Sequence, residues 1–176
     1  MNKVANFEKV SLSQFQDAIL QCSFWGFNDL QENEHFTKTI YEDIALPARA
    51  TKGSAGDDFI APFGFTLCAG ESVDIPTGIR CRIDDGWVLM LYPRSGLGVK
   101  YRAQLDNTTG VIDSDYYGAD NEGHIHIRLT NDSKQDKVLA VNRGDKIVQG
   151  VFLPYGITED DAAEETRTGG MGSTGK

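Results

Sequence analysis

Three cysteines in 176 residues, Cys22, Cys68 and Cys81, are too few and too irregularly spaced to staple a fold or cage a metal. Positive charge is scarce as well. Seventeen Lys and Arg against 26 Asp and Glu leave a formal charge of −9, which repels polyanions and argues against a nucleic-acid partner. No apolar stretch approaches the ~20 residues that cross a bilayer, and no basic start followed by an apolar run marks a secretory leader. These absences predict a soluble, reduced, cytoplasmic protein with no membrane partner. No internal repeat is visible, and the length suits one domain that buries about two-thirds of its unfolded surface in a single core.

Helical periodicity is confined to the first part of the chain. "NFEKVSLSQFQDAILQCSF" reads as one amphipathic helix, with Phe15, Ile19 and Cys22 four and three apart and Ser11 as the N-cap ahead of Gln14. "WGFNDLQENEHF" reads as a linker, with Phe24, Trp25 and Phe27 packed at the edge of the core. From Ile40 onward, short runs rich in β-branched and aromatic residues recur about every ten residues between Gly, Pro, Asp and Asn. "FTLCAG", "ESVDIPTG", "IRCRIDDG", "WVLMLYP", "HIHIRLTND", "KVLAVNRGD" and "KIVQGVFLP" fit an all-β sandwich or jelly roll. In "HIHIRLT", Ile125, Ile127 and Leu129 alternate with His124, His126 and Arg128, which puts both histidines on the wetter face and not in a metal site. The expected organisation is a helical extension and linker over 1–39, a β domain over 40–157, and an acidic linker with a flexible glycine-rich arm over 158–176. "TEDDAAEE" and the glycines after it cannot bury enough apolar surface to order themselves alone.

Several segments combine glycine with charged or hydroxyl residues beside a strand. In "YPRSGLGVK", Pro93 ends a strand, Arg94 offers a fork of donors suited to phosphate, and Ser95 with the Gly96 backbone adds further donors. "NRGDKIVQG" supplies a cation, Lys146, and an amide, Gln149. "DNTTGVIDSDYYGAD" carries acids instead: Asp113 could accept a proton from water, or form an Asx turn with Asp115, and Tyr116 offers a flat face to a sugar or base. "TGGMGSTGK" nearly spells a phosphate loop but has neither the strand before it nor the helix after it.

The order and wording of "ATKGSAGDDF", "PRSGLGVK", "GVIDSDYYG", "RGDKIVQG" and "GGMGSTG" resemble the five motifs of the trimeric dUTP diphosphatases (dUTPases), over roughly Ile40 to Lys176. The resemblance implies a jelly-roll-like β-sandwich of the β-clip type with a short N-terminal helix and a C-terminal arm. It also implies hydrolysis of dUTP to dUMP and pyrophosphate, and a homotrimer whose sites are shared between subunits. Asp113 matches the residue that activates the water attacking the α-phosphorus, and Tyr116 the ring that packs against deoxyribose. Asn107 and the hairpin residues Gly110, Val111 and Ile112 match the uracil-reading positions. Arg94, Ser95, Gly96 and Gln149 match phosphate contacts, as do Arg167, Met171, Gly172, Ser173 and Thr174 of the arm. Asp58 and Lys146 match supporting positions. Mg²⁺ is expected to arrive on the substrate phosphates and waters, with no direct protein ligand.

Three positions depart from the commoner pattern. Lys146 stands where Arg is frequent, Arg167 lies one residue closer to the arm glycines, and Met171 replaces a Phe that stacks over uracil. The related dCTP deaminases carry a different motif pair, and a dUTP sensor that regulates a partner would not need the intact Asp113. Aromatic stacking on a base is worth ~1–3 kcal/mol against ~0.3–1.5 for a thioether contact. Met171→Phe is therefore expected to lower the Michaelis constant for dUTP in steady-state assays; an unchanged or higher value would contradict the stacking role.

Overall fold

The computed structural model describes residues 2–22, 34–165 and 167–170. The expected edge aromatics Phe24, Trp25 and Phe27 lie outside them, as do arm residues 171–176.

Residues 5–9 do not continue the N-terminal helix. They form strand β1 (Ala5–Lys9), and the helix α1 spans Leu12–Gln21. Ser11 interrupts the two, its Oγ accepting from the Gln14 amide at 3.1 Å as the expected cap. β1 is drawn into the sheet because its backbone groups find a partner in β6 (Ile79–Ile83), antiparallel, with Phe7 opposite Cys81. Phe7 then packs edge-on against Phe59 and also against Phe152. α1 buries Phe15, Ala18 and Ile19. Part of the expected linker is a second helix, α2 (Glu34–Glu42), which sinks Thr37 and Ile40 into the core.

The remaining strands follow the β-rich rhythm. They are β2 (Ala48–Arg49), β3 (Asp57–Ile60), β4 (Phe65–Leu67), β5 (Ser72–Pro76) and β7 (Trp87–Pro93), then β8 (Ala103–Leu105), β9 (Gly110–Ile112), β10 (His126–Asn131), β11 (Leu139–Val141) and β12 (Lys146–Pro154). A short helix, α3 (Ser95–Tyr101), follows β7, and a 3₁₀ turn, Ser114–Gly118, follows β9. Five strands form the largest sheet in the order β2-β3-β12-β7-β9, and a second sheet runs β5-β10-β8. Together they make the expected all-β sandwich. Ile75, Leu89, Ile127, Leu129 and Leu139 are fully buried between the layers. The Cys22 and Cys81 thiols are pushed up to about 12 by burial, whereas Cys68 is exposed.

His124 corrects the alternation reading. β10 begins at His126, so His124 precedes the strand and its ring turns into the core with no exposed surface. Its Nε2 accepts the Gly78 amide at 2.8 Å. Gly78 is held at φ +71°, and a Cβ there would come within 2.3 Å of the Ile44 side chain. Burial, with the neighbouring His126, drives the His124 pKa down to about 3. The N-terminal elements also grip this region: Ser11 donates to both carboxylate oxygens of Glu122, at 2.6 and 2.7 Å, and Tyr117 and Arg80 both donate to Glu8, at 2.8 and 3.0 Å.

An unfolded imidazole takes up a proton near pH 6.5, whereas the folded ring resists until about pH 3. The unfolded state therefore binds the extra proton between those values, and stability present above pH 6.5 is lost as the pH falls toward 3. Between pH 7 and 5.5 this residue alone is expected to remove roughly 1.2 kcal/mol. Urea unfolding at fixed protein concentration should show that loss, and a His124→Asn variant should show a correspondingly smaller one.

Candidate functional site

The motif residues gather in two places. In the first, Asp58 on β3 lies opposite Gln149 of β12, its side chain 3% exposed. Arg94 Nη1 donates to one of its oxygens at 2.6 Å, and Lys146 Nζ lies 2.7 Å from the other. Arg94 thus pairs with a buried carboxylate of the first motif rather than with a surface acid. Its amide is fixed to the Ile147 carbonyl at 3.0 Å, and its own carbonyl accepts from Leu97 and Gly98 to start α3. Ser95 and Gly96 sit exposed on the first turn, where helix amides have no intrahelical acceptor. Cations, amides and a hydroxyl therefore meet at the end of β7, an arrangement suited to an anion.

In the second place, residues 106–109 turn β8 back into β9. Thr108 takes φ +65°, and its amide donates to the Leu105 carbonyl at 2.8 Å. A side chain at position 110 would put its Cβ 3.0 Å from that of Leu91, so glycine is what lets β9 close onto β7. Asn107, Gly110, Val111 and Ile112 form one wall of a cavity of about 650 Å³. Tyr116, His126, Arg128 and Arg167 contribute to the remainder.

Asp113 follows β9 and caps the 3₁₀ turn through its backbone, yet its carboxylate makes no capping hydrogen bond. The Asx-turn alternative thus does not occupy it. Half-exposed, it accepts instead from Arg167 Nη1 at 3.3 Å, and Asp115 lies 3.5 Å from the same nitrogen. The Arg167 guanidinium also lies over the Tyr116 ring, 5.4 Å from its centroid. Burial raises the Tyr116 pKa and keeps the phenol neutral. Its hydroxyl donates to the His124 carbonyl and accepts from Asn121 Nδ2, both at 2.8 Å. The Asp120 amide donates to the Thr168 carbonyl at 3.0 Å, so the root of the arm rests on the third motif of its own chain.

Met171, Gly172, Ser173 and Thr174, expected over the phosphates, lie outside the described residues. Among the described residues, no group of three or more His, Cys, Asp or Glu side chains is placed to hold a metal ion. No described helix is long and apolar enough to cross a membrane. Sequence reasoning missed Asn121, His126 and Arg128. For the last two the signal was present, since the alternation in "HIHIRLT" puts them on one face; nothing local distinguishes Asn121 from an ordinary turn residue.

A dUTPase family model matches residues 42–175. The deoxyuridine 5′-triphosphate nucleotidohydrolase of Lactococcus lactis is 40% identical over 145 residues, covering 81% of this chain and 95% of that one. The crystal structure of the Streptococcus mutans dUTPase is 37% identical, with a TM-score of 0.58 over 65% of this chain and 88% of that one. A dUTPase from phage phi11 of S. aureus, described with a structural Mg(II) ion, is 26% identical at a TM-score of 0.58, over 70% and 92%.

Replacing Asp58 with Asn withdraws the charge from two cations. Because Arg94 and Lys146 are 35% and 46% exposed, solvent screens part of the loss. The expected cost is about 1–3 kcal/mol of unfolding free energy, below that of breaking a fully buried pair. Chemical denaturation at constant protein concentration measures it.

Proposed function

Because the chain belongs to the dUTPase family and hydrolyses dUTP, we propose that Asp113 is the base that draws a proton from the attacking water. The observation that carries this reading is a half-exposed carboxylate, unused by its own cap, next to Tyr116 and a cavity of about 650 Å³. The water, relieved of its proton by Asp113, attacks the α-phosphorus in line; the bond to the bridging oxygen breaks, and dUMP and pyrophosphate leave. A positioned base of this kind is worth ~10²–10⁴-fold in rate. Arg167 pairs with Asp113 of its own chain in this structure, and that contact gives way when the carboxylate takes up its role.

The base lies against β9. That strand is the edge of the five-stranded sheet, so the side facing away from β7 carries backbone donors and acceptors that no described strand uses. Uracil pairs with this edge as a further strand would, with Asn107 beside it. Cytosine would leave buried groups unmatched, a mismatch that reaches ~10⁴–10⁵ in discrimination. Thymine is excluded by the close fit of the hairpin, and Tyr116, packed on deoxyribose, excludes the 2′-hydroxyl. Arg94, Ser95, Gly96, Lys146 and Gln149 receive the phosphates. Asp58 is already engaged by two cations and fits a supporting role toward metal-bound waters better than direct ligation. Mg²⁺ would be held mainly by the substrate with Asp58 in support, and when bound it would offset the charge on the phosphates.

The register supports a site divided between chains. β7 pairs Leu89 with Ile112, which sets Asp113 level with the start of β7, whereas Arg94 follows its end. Six residues of strand separate the two levels, roughly 20 Å at ~3.3 Å per residue. Within one chain they cannot serve the same phosphate. A homotrimer in which one subunit supplies the hairpin and Asp113, another the Arg94 group and a third the arm resolves this. Removing dUTP limits uracil incorporation into DNA and supplies dUMP for thymidylate synthesis.

Pyrophosphate release assayed on dUTP, the four standard deoxynucleoside triphosphates and UTP is expected with dUTP alone. Asp113→Asn should lower kcat by at least a hundredfold with little change in KM. If sites are shared, mixing inactive Asp113→Asn with inactive Arg94→Ala subunits restores activity at roughly a quarter of the sites. No recovery after subunit exchange would rule out the division.

A further inference from the structure

We propose that Asn121 is a positioning residue for the reaction, holding the Tyr116 ring and the root of the arm in a single network. This rests on the reading of Tyr116 as the ring that discriminates deoxyribose. Tyr116 lines the cavity, where the Arg167 guanidinium lies over its ring. The Tyr116 hydroxyl fixes the ring from behind, donating to the His124 carbonyl and accepting from Asn121 Nδ2 at 2.8 Å each. The His124 carbonyl belongs to a residue whose ring is anchored in the core by Gly78, so one end of the network is rigid. Asn121 supplies the other end, and its own orientation is set by the Gly123 amide, which donates to Oδ1 at 3.2 Å.

Asn121 also faces the arm. A Cβ on Gly170 would lie 3.5 Å from Asn121 Nδ2, and the adjacent Asp120 amide holds the Thr168 carbonyl. The amide that orients the ring therefore lies beside the segment carrying Arg167, whose guanidinium covers that ring. Both consequences follow from one side chain: the ring keeps the tilt that denies space to a 2′-hydroxyl, and the arm keeps its docking point.

The test uses the ratio of kcat/KM for dUTP to that for UTP, a quantity that general loosening of the fold would not move selectively. Asn121→Asp keeps the acceptor for the Gly123 amide but loses the donor to the tyrosine hydroxyl. Tyr116→Phe removes that hydroxyl while leaving the ring in the core. Each is expected to lower the ratio about five- to tenfold, the effect of one hydrogen bond, and the double variant no further than either alone. Asn121→Asp should also speed trypsin cleavage after Arg167, which docking now shields. Tyr116→Ala completes the set. A collapsed ratio in Tyr116→Ala with unchanged ratios in Asn121→Asp and Tyr116→Phe overturns the positioning role and leaves the sugar role standing. An unchanged ratio in Tyr116→Ala itself overturns both.

Discussion

The antiparallel pairing of β7 with β12 on one side and β9 on the other is the constraint on which the site depends. β12 carries Gln149 and Lys146 alongside the end of β7, where Arg94 emerges toward Asp58. β9 carries the hairpin and Asp113 alongside its start. One strand thus holds the Arg94 group and the Asp113 group at a fixed separation. On the proposed reading of these two groups, that rigidity calls for a second copy to close the gap, and the reaction and the assembly would then share a single geometric origin.

The turn that follows β9 is braced from directions that the motifs do not contain. Ser11, the cap of α1, holds Glu122, and Glu8 of β1 holds the Tyr117 hydroxyl and Arg80. Both contacts span more than 100 residues of sequence apart from the Glu8–Arg80 pair. They enclose a segment whose interior partner is a buried imidazole, and the burial that lowers the His124 pKa keeps that ring neutral. β1 and the cap of α1 thus do more than cover the core, because Glu8 and Ser11 bond to Tyr117 and Glu122, close to Asp113 and Tyr116 in the chain.

Much of the architecture was legible in the sequence because the long strands are half-buried and alternate. β5, β6, β7, β10 and β12 coincide with apolar runs bounded by turn formers. The strands that escaped are short or carry a motif: β3 starts within "GDDF", and β8 has three residues, too few for a period to show, whereas β9 was legible as the strand leading into Asp113. β1 was hidden inside an apparently helical stretch because its partner, β6, lies seventy residues away. The site residues were legible as motifs, and the structure brings Asp58, Arg94 and Lys146 together, and Asp113, Tyr116 and Arg167. What the motifs could not convey was who restrains whom: that Arg167 contacts Asp113 in its own chain, or that Asn121 supports Tyr116. Those contacts arise from tertiary placement of residue types that are unremarkable where they stand.

In the wall of the cavity built from β9, the main chain at position 110 lies so close to Leu91 that a Cβ there would come within 3.0 Å of that side chain. Every residue type except proline offers the same amide and carbonyl, so point substitution along β9 alters the packing without rewriting the polar pattern that its main chain presents. Changing that pattern would take an insertion or deletion in the 106–109 turn that shifts the strand's register.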